Sequence, residues 1–317
     1  MMFERDDDVD NINRHPFFCL KILLNSLDIF SRNKQIFFLL FILVTFPLSF
    51  LLFSVSLSAR PIKRHVYYLE ALARLSSTRF ESQHVWKESR ATALSLLRLR
   101  FSYFFPSYFL SLIAAITAVS CTHYAVHNKR FGFGTAMSSV RLTWKRPFVT
   151  TICIYAVLVL YSQASFFIAV LTGSAPGAIV LAWAIGSSVE VYIMAVLGIG
   201  LVVSVLEERF GFDAIRTGWG LMEGKRCSGW FLSGWFVLFS GLIGWRWDML
   251  LMAMDLQDLG KEKKWTALIE SWERVGLIGL YGIEMIWSYV VTTVFYCECR
   301  KRHVSRTEND NSNVAIV

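Results

Sequence analysis

The chain has 317 residues, of which 55% are hydrophobic and only 18% are charged, and its formal net charge is +8 at pH 7. Together with a mean hydropathy of +0.46, this composition excludes an ordinary soluble domain. We expect membrane lipids, rather than nucleic acid, to be its partners, and a protein partner in the membrane stays open.

The first predicted element is a leader over residues 1–35 that carries one amphipathic helix. One helical face of this segment is apolar, and it consists of Leu20, Leu23, Leu27 and Phe30. This spacing is typical of a helix lying at a membrane interface. The first long apolar block starts only behind the leader, which predicts a signal anchor rather than a cleaved signal peptide.

Six apolar blocks follow, and each reaches or exceeds the roughly 20 residues that cross a hydrocarbon core as a helix. They run over residues 36–58, 103–125, 148–172, 178–205, 230–254 and 275–297. They predict an all-α integral membrane protein with a six-helix membrane domain over residues 36–299. Pro61 is expected to end the first helix. The polar residues 300–317 predict a disordered tail.

A short pattern recurs before three of these blocks. Phe131-Gly132-Phe133 resembles Phe210-Gly211-Phe212, and Lys145-Arg146 corresponds to Lys225-Arg226. In the later copy, Phe212, Ile215, Trp219 and Met222 are predicted to share one helical face. The leader helix is a degenerate third copy. We therefore predict three units, each made of an amphipathic elbow helix, a basic pair, an outgoing span and a returning span.

Charge and repetition together suggest the orientation. Six spans would leave both termini on one side, and that side carries more Lys and Arg than the other. Three equivalent elbows must also share a side. We expect both termini to be cytosolic, in the endoplasmic reticulum or another endomembrane, or in the plasma membrane, although the basic loop after the first span departs from this rule.

The clearest elbow is Ser204 to Arg226, S-V-L-E-E-R-F-G-F-D-A-I-R-T-G-W-G-L-M-E-G-K-R. Glu207 and Glu208 are predicted to end a span, and Gly211 to make the turn that follows. Asp213 is predicted to cap the elbow helix, and Lys225 and Arg226 to lie at its C-terminus. The charges are expected to anchor the helix at headgroup depth.

This stretch resembles the motif of a plant family of uncharacterised multi-pass membrane proteins. In that family a span ends V-S-V-L-E, passes a Y/F-G turn and enters a helix that closes on G-K. It is more distantly similar to membrane domains attached to bacterial glycerophosphodiester phosphodiesterases. The resemblance implies a topology but no activity, because the catalytic barrel of those enzymes is absent from this sequence.

Ionisable residues inside the spans are the other candidate site. Glu190, Arg246, Asp248 and Glu284 are predicted to form an intramembrane polar cluster, since a charge in a span usually faces protein or water. Arg246 is expected to pair with Glu190 or Glu284. Two interpretations stay open: an ion pair that fixes the packing of the helices, and a path for a substrate or ion.

No catalytic motif is recognisable, so we assign no catalytic residue, no metal site and no cofactor. Cys297 and Cys299 lie at the end of the last span, where they are candidates for palmitoylation or are ordinary interfacial thiols. The sequence favours a non-enzymatic membrane protein that organises lipid or a membrane partner. The alternative is a small transporter or channel that uses the polar cluster.

Overall fold

The computed structural model describes residues 17–75, 79–127, 133–171, 176–257 and 264–314. These ranges are helical and contain no strand. The helices are α1 Phe17–Arg32, α2 Lys34–Leu40, α3 Phe46–Leu75, α4 Arg79–Val126, α5 Phe133–Thr143, α6 Lys145–Leu171, α7 Pro176–Leu206, α8 Gly211–Leu221, α9 Arg226–Gln257 and α10 Lys264–Val314. A π-helical turn, Phe41–Thr45, joins α2 to α3.

Within the described residues, six helical segments are long and apolar enough to cross a membrane. They are Lys34–Leu69, Trp86–Val126, Lys145–Gln163, Trp183–Leu206, Arg226–Ala253 and Trp272–Ser305. Each overlaps one of the predicted blocks. The prediction of an all-α membrane protein with six spans is confirmed.

The helix boundaries differ from prediction at two places. Helix α3 continues through Pro61 to Leu75, so Pro61 does not end it. A proline removes only one backbone hydrogen bond, and membrane helices tolerate this where their surroundings satisfy the freed carbonyl. Helix α10 continues to Val314, so residues 300–314 are helical where the sequence predicts disorder.

Short helices stand in the predicted places before three of the spans. Helix α1 precedes α2, α5 precedes α6, and α8 precedes α9. On α1, Ile22, Leu23 and Ser26 are buried, whereas Leu20 and Leu27 of the predicted apolar face are exposed. The indole of Trp287 donates a hydrogen bond to the hydroxyl of Ser26 over 3.1 Å, which holds this face of α1 against α10.

The chain divides into two compact units. The first unit comprises residues 1–40, 114–242 and 284–317, and it contains all three short helices. Small residues bring its helices close together: a Cβ built on Gly198 of α7 would lie 3.5 Å from Cγ2 of Thr292 on α10. Such close approach between small side chains is how helices associate in a membrane.

The second unit comprises residues 41–113 and 243–283. Its buried cluster is aromatic, with the Phe53 ring 4.5 Å from the Trp247 ring and 5.4 Å from the Tyr281 ring, centroid to centroid. A Cβ on Gly282 would lie 3.0 Å from Phe41 and 3.1 Å from the hydroxyl of Ser49. The π-helical turn therefore packs directly against α10 in this unit.

Candidate functional site

The predicted elbow motif forms a helical hairpin in the first unit. Helix α8 packs against the last turns of α7 through small residues. A Cβ on Gly218 would lie 2.9 Å from the backbone nitrogen of Gly200, and one on Gly200 would lie 3.0 Å from Cα of Ile215. Gly200 lies about 9 Å along α7 from its end at Leu206. Helix α8 therefore folds back along α7.

The turn into α8 is made by Gly211, as predicted, with a φ of +63°. Its backbone N–H donates to the hydroxyl of Thr150 on α6 over 2.9 Å. The N-cap position is Phe210, which makes no side-chain capping bond. The predicted cap by Asp213 is therefore wrong: Asp213 lies in the first turn, where its charge complements the helix dipole, and Thr150 satisfies an N-terminal N–H from another helix.

The predicted apolar face of α8 is divided between two environments. Met222 is fully buried, whereas the side chains of Phe212 and Trp219 are 65% and 52% exposed. Phe210 is exposed beside them. The indole of Trp219 donates to the hydroxyl of Tyr192 over 3.0 Å, which fixes its orientation. The small residues of α8 face the protein and its large aromatic residues face outward.

The basic end of the motif lies beyond α8 rather than at its C-terminus. Helix α8 ends at Leu221, and Gly224, with a φ of +83°, turns the chain into α9, which begins at Arg226. The Lys225 ammonium lies 3.6 Å from the centroid of the Phe18 ring on α1. Burial lowers the pKa of Lys225 from its ordinary value.

Glu207 is the centre of a polar network at the end of α7. One of its carboxylate oxygens accepts a hydrogen bond from the hydroxyl of Tyr296 over 2.6 Å and another from the guanidinium of Arg300. Arg209 lies 3.9 Å from its other oxygen. The Glu207 side chain is only 17% exposed. Its charge therefore joins α7 to α10 as well as ending a span.

The neighbouring acid, Glu208, has a different environment. Its side chain is 90% exposed, and it pairs with Arg146, the start of α6, over 3.2 Å. An exposed pair of this kind contributes little to stability.

These contacts place the three short helices at one end of the first unit, which we call the elbow end. Phe18 of α1 contacts Lys225 after α8, and Arg146 after α5 contacts Glu208 before α8. Arg300 of α10 reaches the same place through Glu207.

A cleft of about 450 Å³ opens at the elbow end, between the end of α4, helix α5 and the end of α7. Polar side chains line most of it: Ser120, His123, Tyr124, His127, Ser139 and Thr143. Val205 and Leu206 complete the lining. Across the part of the chain that the structure describes, no group of three or more His, Cys, Asp or Glu residues could hold a metal ion.

The residues of the predicted intramembrane cluster belong to different units: Arg246 and Asp248 to the second, Glu190 and Glu284 to the first. Within the second unit Arg246 pairs with Glu273 over 2.7 Å, and its pairing with Glu190 or Glu284 stays a prediction. Glu190 and Asp248 are exposed. Glu284, in the first unit, is buried, and its Oε2 atom has no hydrogen-bond partner.

The two cysteines proposed for lipidation, Cys297 and Cys299, are both buried in the first unit. A transferase needs an accessible thiol, so this burial disfavours palmitoylation of either residue. Among the six free cysteines that the structure describes, Cys227 is exposed.

Comparison with known proteins places the chain in a family. Residues 10–313 match the family described as a domain of unknown function, DUF8558. The chain belongs to the DUF8558 family. No curated protein and no solved structure matches it. The DUF8558 match spans almost the whole chain, so the family covers both units and includes the elbow end.

Several residues of the elbow end escaped the sequence analysis, including Tyr296 and Arg300. These two lie four residues apart on α10, so they share a helical face. The same spacing relates Ser139 to Thr143, and His123 to His127. Such pairs of polar residues near span ends were a usable signal, but the sequence could not indicate which distant residue they contact.

Proposed function

We propose that this DUF8558 protein is a non-enzymatic membrane protein whose elbow end binds and organises anionic lipid. The observation that carries the proposal is the arrangement of α8, which uses glycines to pack on α7 and turns Phe212 and Trp219 outward. Aromatic side chains are enriched where a membrane meets water, because their rings are apolar and their polar edges stay hydrated. This arrangement supports an interfacial role for the elbow helices.

The first unit also carries exposed cations on or near the elbow helices. They are Arg141, Lys145, Arg216, Arg226 and Lys301. Each Lys or Arg close to an anionic membrane surface contributes about 1 kcal/mol to its attraction. The guanidinium of Arg226 lies 5.9 Å from the Trp219 ring centroid, so one cation is held beside one of the aromatic anchors.

The orientation belongs to the same proposal. With both termini cytosolic, the elbow end meets the cytosolic leaflet, which is the anionic leaflet of a cell membrane. This holds for an endomembrane such as the endoplasmic reticulum and for the plasma membrane. Kinship with the plant family and with the phosphodiesterase-linked membrane domains is proposed from the Ser204–Arg226 motif alone.

The proposal is tested by lipid binding to the purified full chain. The double variant Arg216→Gln, Arg226→Gln removes two elbow-end charges, and Lys87→Gln, Arg90→Gln removes two exposed charges from α4. Native mass spectrometry with titrated phosphatidylserine should show an affinity roughly thirtyfold lower for the first variant, from about 1 kcal/mol per charge. The second variant should bind as the wild type does. Equal affinities for the two variants would contradict the proposal.

One observation favours the alternative, a small transporter. Glu284 is buried within a candidate span and its Oε2 atom has no hydrogen-bond partner, and such residues often mark a substrate or ion path. A solute flux into sealed vesicles that carry the purified protein, lost in Glu284→Gln, would replace the lipid-organising proposal.

A further inference from the structure

The cleft at the elbow end is lined by two helical faces of polar residues. Ser120, His123, Tyr124 and His127 have the i, i+3, i+4, i+7 spacing of one face of α4, and Ser139 and Thr143 lie one turn apart on α5. Val205 and Leu206 of α7 add an apolar part. The cleft volume of about 450 Å³ lies within the range of small-molecule sites in proteins.

Local hydrogen bonds orient several of these groups. Nδ1 of His127 lies 2.9 Å from the carbonyl oxygen of His123, and because a carbonyl only accepts, Nδ1 carries the proton. The centroids of the two imidazole rings are 4.5 Å apart. The hydroxyl of Thr143 donates to the carbonyl of Ser139 over 2.6 Å. The imidazoles and hydroxyls are therefore held within the cleft walls.

The lining of the cleft carries no negative charge that would repel an anionic ligand. The lining residues include no carboxylate. The acids that follow Leu206 are both paired: Glu207 with Arg300, and Glu208 with Arg146. An imidazole suits such a ligand, because in its protonated form both ring nitrogens donate. The tetrahedral oxygens of a phosphate can accept from an imidazole on one side and, once the hydroxyl of Thr143 rotates away from the Ser139 carbonyl, from that hydroxyl on the other.

We propose that this cleft binds a phosphate group carried by a small organic moiety. The cleft lies at the ends of the membrane-crossing helices α4 and α7, at the elbow end that also carries the exposed aromatic residues of α8, so the phosphodiester of a lipid headgroup is one source of that group. A soluble phosphorylated molecule is the other. The lipid case rests on the proposed function, because it makes the cleft a specific headgroup site within the elbow end.

The test measures binding of three probes to the purified full chain: dioctanoyl phosphatidylglycerol, glycerol phosphate and the phosphate-free dioctanoylglycerol. Two cleft variants are compared, His127→Gln and Thr143→Val. The matched control is His65→Gln, which changes an exposed histidine of α3. Thr143→Val keeps the shape of the side chain, so it covers the case in which His127→Gln does not fold.

We expect at least one phosphate probe to bind, and each cleft variant to weaken that binding about tenfold, the usual effect of losing one hydrogen bond to a charged group. The control should bind as the wild type does. Binding of glycerol phosphate assigns a soluble ligand, and binding of phosphatidylglycerol alone assigns a lipid headgroup. The proposal is overturned if neither phosphate probe binds, if dioctanoylglycerol binds equally well, or if the folded cleft variants retain full affinity.

The double variant Arg216→Gln, Arg226→Gln separates this inference from the proposed function. Neither residue lines the cleft, so this variant should keep full affinity for the phosphate probe. If it also keeps full affinity for phosphatidylserine, the surface role of the elbow end fails while the cleft site stands. If the double variant loses phosphatidylserine binding while the cleft variants bind the phosphate probe as the wild type does, only the cleft site is refuted.

Discussion

Glu207 shows how a single charged residue acquires a structural role at the end of a span. Its carboxylate accepts hydrogen bonds from Tyr296 and Arg300, which lie 89 and 93 residues later in the chain. Hydrogen bonds to an ionised group are stronger than those between neutral groups. The half-buried position of Glu207 also shields it from solvent, so this contact ties the end of α7 to α10.

Glu207→Gln should lower the free energy of unfolding by about 2 kcal/mol, because the charge-assisted bonds to Tyr296 and Arg300 become neutral or are lost. Thermal unfolding of the purified protein in mild detergent measures the change. Glu208→Gln is the matched control, and since Glu208 is almost fully exposed we expect it to be near neutral. Equal losses for the two variants would show that Glu207 has no special role.

The sequence predicted Glu207 and Gly211 at this place for correct reasons: an acid ends an apolar run, and a glycine permits a positive φ. The sequence also predicted Asp213 as the cap, because only the spacing of nearby residues can be seen in a sequence. The backbone N–H of Gly211, at the start of α8, donates instead to the hydroxyl of Thr150, 61 residues earlier. Partners at such separations depend on how the helices pack, and no local pattern carries that information.

At the scale of the helices, the small residues of α8 position it, because they allow its backbone to approach α7 closely. Gly211, Ala214 and Gly218 are its buried residues. This arrangement reverses the usual expectation for an amphipathic helix, in which the most apolar face is buried. Lipid is as apolar as a leucine side chain, so large apolar residues can face outward, and small residues that permit close backbone approach face the protein.

The contact of α8 with α7 leaves no space for a side chain at Gly218. Gly218→Ala should destabilise the protein by about 1–3 kcal/mol, because the new methyl group would meet the backbone of Gly200, which cannot rotate away. Gly220 is the matched control on the same helix, since a Cβ there meets nothing within 4 Å.

Gly220→Ala should be neutral, or stabilising by up to about 1 kcal/mol through helix propensity. Thermal unfolding of both variants in the same detergent is the measurement. A Gly218→Ala variant as stable as Gly220→Ala would contradict the close packing of the hairpin.

The presence of each helix was far easier to predict than which of its faces is buried. The three short helices and the six spans were recognisable from apolar periodicity and length, which depend only on nearby residues. Which residues of α1 and α8 are buried could not be predicted, since periodicity shows that a face is apolar but not whether lipid or protein covers it. The predictions that Pro61 ends a helix and that the polar tail is disordered were also wrong, because both helices continue despite these local signals.

At the scale of the whole molecule, we propose that the elbow helices form one lipid-facing end of the first unit. Contacts within the first unit bring α1, the α5–α6 turn and the α7–α8 hairpin together. The repeat in the sequence indicated this equivalence, although the copies are not identical in detail. The turn between the short helix and its span is Asn33 in the first copy and Trp144 in the second, whereas the third contains Gly224.

The most direct test is the side of the membrane on which each elbow lies. In a background without native cysteines, Ser138→Cys on α5, Arg216→Cys on α8 and Gly177→Cys at the start of α7 are labelled in sealed vesicles with a membrane-impermeant maleimide. All three positions are exposed. We predict that Ser138→Cys and Arg216→Cys are labelled from the same side and that Gly177→Cys is labelled from the opposite side. Labelling of positions 138 and 216 from opposite sides would contradict the account.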